Sequence, residues 1–428
     1  MANKEMGPVP SSTVSSDDTS SVESISPEIK RSLKRKHSSS DTDFTDSSES
    51  RHSQERKNPS DVEGITTSTS GGSDMRSSSE SPILGSEIPL KCSDWSDQVF
   101  PLLRVEVMPE VFTPYVVFSS YSDFLESQKN KRSKIIAMMN DSLAERKVVL
   151  DCYNYAMENV LDLEYEHIDH IPVHRVEELF ENTETLDKSS MRDWMRQFTE
   201  NDLKAGGKDL KEKFKRVHQR INEYLWQLLY MVNKRQFPEP EELSEGMFQE
   251  LFLRFAKIFE LDLVGVPNVG RYTFDVSGTE TSSVPDALVI NPRRKNSVLA
   301  VVEVKKFYSK EIDSETQRKL RKVTKVQNPI QHVDSKLKGQ HVGEILSVLQ
   351  YSLFGPTGIF GLIVQATEIT VVAFATDEKY LECVRKGRLP KQDCATVKYS
   401  EKCNILSKKG RLELVKTFLD MSALMKCL

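Results

Sequence analysis

Three charged residues stand at the ends of two apolar segments, where a buried strand would tolerate no unpaired charge. The segment VPDALVIN carries Asp286 near its start, and the segment SVLAVVEVKKF carries Glu303 and Lys305 near its end. Alternate side chains of a strand share a face, so Glu303 and Lys305 are expected to point the same way. If the two segments pair through the basic turn between them, Asp286 approaches both residues at one edge of a sheet.

Two carboxylates and a lysine in this arrangement suit metal-assisted hydrolysis of a phosphodiester. Two like charges side by side at a buried edge are costly, and a divalent cation offsets that cost. Mg²⁺ takes hard oxygen ligands, commonly one or two carboxylates, and keeps waters that a phosphate can displace. The lysine would then stabilise charge that develops on the phosphate, or orient and help deprotonate the attacking water.

Two other interpretations of these residues stay open. Asp286 could cap a strand end while Glu303 and Lys305 form a solvated pair at the sheet edge. The chain could also keep the fold for binding alone, since a fold does not fix a function. The acidic-x-lysine triplet decides nothing by itself, because Glu28-Ile29-Lys30 also matches it. The uninterrupted apolar run before Glu303 favours a buried strand, and with it the chemical interpretation.

The elements around these residues follow an α/β order. The helix predicted over PEELSEGMFQELFLRFAKIFE is amphipathic, with core-facing residues Phe248, Leu251, Phe252, Phe255 and Phe259. The predicted elements that follow are strands in RYTFDVSG, VPDALVIN and SVLAVVEVKKF, a helix in GEILSVLQYSLF, two strands in IFGLIVQATEITVVAFA, and a last helix in RLELVKTFLDMSALM. This order predicts an α/β core with a mixed sheet.

The spacing of the charged residues resembles that of the PD-(D/E)XK nuclease superfamily. Pro285-Asp286 is followed, after sixteen residues, by Glu303-Val304-Lys305, and the resemblance covers roughly residues 239–375. It implies a restriction-endonuclease-like core of order αβββαβ and a nuclease that hydrolyses nucleic acid, DNA in preference to RNA, with Mg²⁺ or Mn²⁺. The alternative is a catalytically inactive nucleic-acid-binding or assembly module that retains the nuclease fold.

By this resemblance, Asp286 and Glu303 are the metal ligands and Lys305 is the catalytic lysine. The backbone carbonyl of Val304 would also face the metal. Members of the superfamily often add a glutamate from the first helix, and Glu245 is favoured for that role here. All of these roles are carried by the resemblance and not by composition or periodicity.

Two further positions are less well defined by the resemblance. Glu241 is the alternative to Glu245, because both lie beside the apolar face of the first helix, whereas Glu250 points away. Some subfamilies carry a glutamine followed four residues later by a tyrosine on the second helix. Gln350 fits the first of these positions, but Phe354 replaces the tyrosine, which leaves that subfamily open.

A basic segment follows the predicted active edge and indicates a polyanionic partner. Such residues would neutralise phosphates and give salt-sensitive, sequence-independent affinity. The candidate nucleic-acid-binding residues are Lys306, Arg318, Lys319, Arg321, Lys322 and Lys325. The alternative is an exposed basic helix that pairs with its own acidic residues.

The chain divides by composition into three predicted regions. Residues 1–90 are Ser-rich and too poor in apolar residues to offset the entropy of ordering, which predicts disorder. Residues 93–236 show helical periodicity, and residues 238–428 hold the nuclease-like domain. A basic cluster in the first region is either a nuclear localisation signal or a solvated basic run, and it consists of Lys30, Arg31, Lys34, Arg35 and Lys36. We therefore expect a nuclear protein, alternatively a cytoplasmic one.

Composition and residue spacing argue against several other classes of protein. No apolar run approaches the ~18–20 residues needed to span a bilayer, and the first residues lack the apolar core of a signal peptide. The six cysteines are scattered without a CxxC pair, which argues against a zinc ribbon or a disulfide scaffold. His167, His170 and His174 could ligate a metal, but Pro172 interrupts any helix that would align them, so surface histidines are favoured.

Overall fold

The structure is a computed structural model. It describes residues 88–127, 143–184, 194–196, 198–200, 210–237, 239–291, 297–306, 333–389 and 395–427. The helices are α1 (Phe100–Leu103), α2 (Pro114–Ser127), α3 (Leu143–Tyr155), α4 (Val173–Glu184), α5 (Leu210–Gln236), α6 (Glu245–Ile258), α7 (Ser335–Val348), α8 (Tyr380–Arg385) and α9 (Lys408–Cys427).

The strands belong to one large sheet and one separate hairpin. They are β1 (Val105–Val107), β2 (Leu263–Gly265), β3 (Tyr272–Val276), β4 (Thr279–Ser283), β5 (Ala287–Ile290), β6 (Val298–Lys305), β7 (Gly358–Gln365), β8 (Glu368–Ala375), β9 (Ala395–Tyr399) and β10 (Cys403–Asn404). The large sheet has the order β1-β9-β8-β7-β6-β5-β2, and β10 pairs with β8. The chain is thus a mixed α/β fold.

The centre of the sheet combines antiparallel and parallel pairing. Strands β2, β5 and β6 pair antiparallel, whereas β6 and β7 run parallel. A parallel pair needs a crossover connection, and α7 lies in the connection between these two strands. Strand β6 is buried along nearly its whole length, which its near-continuous apolar sequence predicts for a strand covered on both faces.

Helices cover both faces of the sheet. One apolar cluster joins the sheet to α2, α3, α4, α5, α6 and α9. A second cluster on the opposite face joins the sheet to α1, α7, α8 and the β3–β4 hairpin. Helices from the stretch 93–236 therefore share the first cluster with helices from the stretch 238–428.

Most of the elements expected between residues 238 and 428 are present. All five residues predicted to face the core are buried, four of them in α6 and Phe259 directly after its end. Helix α9 extends a few residues beyond the predicted RLELVKTFLDMSALM. Helix α7 is displaced toward the N-terminus from the predicted GEILSVLQYSLF. It begins after Asp334, whose side chain accepts hydrogen bonds from the N–H groups of Lys336 and Leu337, and it ends at Val348.

The strand predicted in RYTFDVSG forms, but its place in the fold differs from the prediction. Strand β3 pairs with β4 as a separate hairpin. Its turn uses Ser277 and Gly278, both with positive φ, as the short hairpin turns require. The position beside β5 in the large sheet is taken by β2, three residues long. So short a strand carries too little alternation to be predicted from the sequence.

Candidate functional site

The pairing of β5 with β6 brings Asp286 to the end of β6. Ala287 pairs with Val302, so the preceding residue, Asp286, lies opposite Glu303. The Asp286 Oδ2 atom accepts a hydrogen bond of 2.7 Å from the backbone N–H of Val304. The pairing is interrupted by a register shift between Val289 and Ile290, at the far end of β5.

Glu303 and Lys305 share one face of β6 and form an ion pair. The Lys305 Nζ atom lies 2.6 Å from Glu303 Oε1. The Glu303 side chain is only 1% exposed, whereas that of Lys305 is 34% exposed. The carboxylate is therefore held inside the protein, and the ammonium group lies at the boundary with solvent.

Helix α6 contributes a glutamate to the same group of charges. Glu245 lies in the first turn of α6, and its Oε1 atom lies 3.3 Å from Lys305 Nζ. The structure thus brings together Asp286, Glu245, Glu303 and Lys305. Glu241, the alternative to Glu245, instead pairs with Lys234 at 2.7 Å.

Helix α7 adds two residues that the sequence analysis did not identify. The Gln340 Nε2 atom donates to Glu303 Oε1 at 2.5 Å and to Glu344 Oε1 at 3.1 Å. Glu344 is 2% exposed. Its carboxyl group meets that of Glu303, and its Oε2 atom accepts no hydrogen bond from a donor among the described residues. The sequence signal for these residues is their spacing, since Gln340 and Glu344 are two polar residues four positions apart in an apolar segment. That signal can be used only if the helix is predicted to begin near Asp334.

The buried acidic groups of this cluster are less acidic than usual. Burial, and then the charge of Asp286, raise the pKa of Glu303 from 4.5 to about 7. Burial raises the pKa of Asp286, although the Val304 N–H group and Lys305 oppose that shift. Burial, and then Glu303, raise the pKa of Glu344 well above its ordinary value. Each of these carboxyl groups therefore favours its neutral, protonated form, because a charge on one raises the pKa of the others.

The lysine of the cluster shows the opposite behaviour. Burial alone would lower the pKa of Lys305, but the charge of Glu303 and its hydrogen bond to Lys305, together with Asp286 and Glu245, outweigh burial and raise it. Lys305 is therefore held in its charged form. That form suits stabilisation of negative charge on a phosphate better than removal of a proton from water.

The donor atoms of this cluster suit a hard divalent cation. Within the described ranges, no three His, Cys, Asp or Glu side chains are grouped so that they could hold a metal ion together. Asp286 and Glu303 offer two adjacent carboxylates. Mg²⁺ is commonly bound by one or two carboxylates and keeps several waters. Asp286 and Glu303 therefore fit such an ion better than a metal ion that takes all of its ligands from the protein.

Other predicted site residues lie away from this cluster or outside the described residues. The structure does not bring Gln350 to the site. Helix α7 ends at Val348, so Gln350 falls in the following 3₁₀ turn, is exposed, and accepts a hydrogen bond from Arg385. Lys306 pairs with Glu242. The remaining predicted basic residues lie outside the described ranges, and they are Lys30, Arg31, Lys34, Arg35, Lys36, Arg318, Lys319, Arg321, Lys322 and Lys325.

The histidine cluster agrees with the surface interpretation. His167, His170 and His174 are all exposed, and the rings of His167 and His170 meet edge to face with centroids 5.5 Å apart. A cavity of about 550 Å³ lies between α5, α6 and β2. It reaches β5 at Ile290, the opposite end of that strand from Asp286, and includes no residue of the acidic cluster.

Comparison of the chain with known proteins found no similar protein. No family model matches the chain, and no curated protein or solved structure matches it either. Among the described helices, none is long and apolar enough to cross a membrane.

Proposed function

We propose that the chain is a nuclease of the PD-(D/E)XK type that hydrolyses phosphodiester bonds of nucleic acid, DNA by preference, with Mg²⁺ or Mn²⁺. The observation that carries this proposal is the meeting of Asp286, Glu303 and Lys305 at the ends of two paired strands. A buried carboxylate held 2.6 Å from an ammonium group, beside a second carboxyl group, is a costly arrangement. Such clusters of perturbed charges are typical of functional sites.

The order of elements around the cluster supports the same proposal. Helix α6 is followed by the antiparallel strands β2, β5 and β6, then by α7, then by β7 parallel to β6. This succession agrees with the αβββαβ order expected for the superfamily if the β3–β4 hairpin is an insertion. The charged residues lie where β5 begins and β6 ends, next to α6 and α7.

The proposed roles follow from the contacts of each residue. Asp286 and Glu303 would hold the cation, which when bound supplies a Lewis acid and lowers the pKa of a bound water. Lys305, kept charged by its acidic neighbours, would stabilise negative charge on the phosphate. Glu245 would hold Lys305 from the side of α6. A nucleic acid would reach the site from the solvent side, where Lys305 is exposed.

The proposed partner and location rest on residues outside the described ranges. The basic segment at 318–325 would bind phosphates next to the site, and the basic cluster at 30–36 would direct nuclear import. Both remain predictions from the sequence. Neutralising the 318–325 cluster should reduce the affinity for nucleic acid and the dependence of that affinity on salt.

Cleavage of end-labelled single- and double-stranded DNA and RNA tests the proposal. The wild-type protein should cleave one of these substrates with Mg²⁺ or Mn²⁺ and not with EDTA. Asp286→Asn and Lys305→Met should each lower the rate by about 10²–10³-fold, the usual cost of losing one group that stabilises the transition state. Glu250→Gln is the matched control, since Glu250 lies on α6 but pairs with Arg254 at 2.7 Å.

Each possible outcome of this assay has a distinct meaning. Cleavage that survives both Asp286→Asn and Lys305→Met would refute this site. A wild-type protein that cleaves nothing but binds nucleic acid in a salt-sensitive way would instead support the inactive binding module that retains the same fold. Equal losses in Glu250→Gln would show that the variants act through folding rather than through the site.

A further inference from the structure

We propose that Glu344 is a positioning residue, which fixes the side-chain amide of Gln340 and through it the Glu303 carboxylate. The proposal rests on the function proposed above, because Glu303 is the cation ligand that would be positioned. Neither Glu344 nor Gln340 belongs to the pattern that pointed to the nuclease superfamily. Their role follows from the contacts that these two residues of α7 make with each other and with Glu303 on β6.

The two carboxyl groups determine which way the Gln340 amide points. Gln340 and Glu344 are four residues apart on α7, so their side chains lie on one face of the helix. The amide nitrogen of Gln340 has two hydrogens, and it donates to both Glu303 Oε1 and Glu344 Oε1. The reversed amide would place an oxygen against the Glu303 carboxylate. The hydrogen bond that Glu344 Oε1 accepts therefore favours the observed orientation of Gln340.

The positioned amide acts on one particular oxygen of Glu303. Gln340 Nε2 and Lys305 Nζ both contact Oε1, at 2.5 and 2.6 Å. Neither contact uses Oε2. The Glu303 carboxyl group also meets the carboxyl groups of Asp286 and Glu344, and a cation held by Glu303 and Asp286 would bind at this meeting point. If Glu344 no longer held the amide, Gln340 could turn away from Glu303. The carboxylate would then lose one of the two donors that set its orientation.

Glu344 is an expensive residue to bury if it serves only the stability of the fold. Its side chain is 2% exposed and meets Gln340 and Glu303, and Oε2 accepts from no donor among the described residues. Burying a polar atom without a donor destabilises a fold. An apolar residue of similar size would avoid that cost. A positioning role therefore predicts that an apolar replacement weakens the site while the fold stays as stable or becomes more stable.

Two variants at position 344 separate positioning from charge. Glu344→Gln keeps a side-chain oxygen that can accept from Gln340, whereas Glu344→Leu removes it. The probe is Mn²⁺ alone, titrated into the full chain by calorimetry and by its effect on the unfolding temperature, with cleavage rates as a further readout. Glu344→Leu should weaken Mn²⁺ binding by about 10–100-fold, as is common for groups that orient a metal ligand. Glu344→Gln should stay within about threefold of wild type.

Two further variants complete the test. Gln340→Met removes the positioned amide itself and should reproduce the loss seen in Glu344→Leu, even if Glu344→Leu folds poorly. Thr417→Val is the matched control, since Thr417 is a fully buried residue of α9 whose hydroxyl has no partner. It removes an unpartnered polar group far along the chain and should leave Mn²⁺ binding unchanged.

The proposal is overturned by either of two results in a wild-type protein that binds Mn²⁺. One is normal Mn²⁺ binding by both Glu344→Leu and Gln340→Met. The other is a loss in Glu344→Gln as large as that in Glu344→Leu, which would show that the charge at position 344 matters and not the hydrogen bond. A wild-type protein that neither binds Mn²⁺ nor cleaves nucleic acid would instead refute the proposed function.

Discussion

Replacing Glu303 by glutamine should stabilise the metal-free protein at alkaline pH and much less at acidic pH. The glutamine keeps the volume of the side chain and an oxygen that can accept from Lys305 and Gln340, but it cannot ionise. The wild-type carboxyl is 1% exposed, and burial raises its pKa from 4.5 to about 7. The effect of the substitution should therefore follow the ionisation of Glu303 together with the carboxyl groups that meet it, those of Asp286 and Glu344.

The sign of the effect follows from where the proton is held. Between pH 4.5 and about 7, the folded protein keeps a proton on Glu303 that the unfolded chain has released. Unfolding then releases a proton, so the free energy of unfolding falls as the pH rises through this range. The Glu303→Gln variant does not lose this free energy, because glutamine has no proton to release in this pH range. Its advantage over wild type should grow between pH 5 and pH 8 by about 2 to 3 kcal/mol.

Urea denaturation at pH 5, 6, 7 and 8 in the presence of EDTA measures this difference. The exposed and ion-paired Glu250 supplies the control, and Glu250→Gln should show no comparable growth with pH. Added Mn²⁺ should reverse the ranking by stabilising wild type, by about 2.7 kcal/mol at a hundredfold excess over its dissociation constant. Parallel curves for wild type and Glu303→Gln across this pH range would refute the description of Glu303 as a carboxyl that resists ionisation.

Two further predictions concern residues outside the acidic cluster. Arg411→Met should lower the free energy of unfolding by about 3 kcal/mol or more, because the fully buried Arg411 donates to four backbone carbonyl groups. A denaturation midpoint unchanged from wild type would contradict this. Gln350→Ala should change the free energy of unfolding by no more than about 0.5 kcal/mol and leave Mn²⁺ binding and cleavage at wild-type levels, since Gln350 is exposed and pairs with Arg385. A tenfold loss of cleavage would place Gln350 in the site after all.

The convergence of Asp286 with Glu303 and Lys305 could be predicted because it depends on local rules. Strand alternation puts Glu303 and Lys305 on one face. A short basic turn between two apolar segments indicates antiparallel pairing. Together these rules bring Asp286 to the end of β6, and the observed register does the same. The apolar pattern of α6 likewise identified its buried face, and with it the side on which Glu245 lies.

The contribution of α7 could not be predicted, because it depends on how a helix is placed against a distant strand. The helix begins after an N-cap aspartate, Asp334, a start signal that the apolar periodicity did not single out. The predicted start at Gly343 omitted the first two turns, including Gln340. The predicted end at Phe354 extended the helix past Val348, which put Gln350 on a helix that it does not occupy. Only the packing of α7 on the sheet decides which of its residues meet Glu303.

The parallel pairing of β6 with β7 explains why the site needs partners from α7. A crossover that joins two parallel strands returns across one face of the sheet, and here it places α7 over the face that carries Glu303. A charge at the end of β6 on that face is buried by the helix, so it must find hydrogen-bond donors there or remain unsatisfied. Lys305 supplies one donor from the strand, and Gln340 supplies the other from the helix. The geometry that buries Glu303 thus also determines which element can orient it.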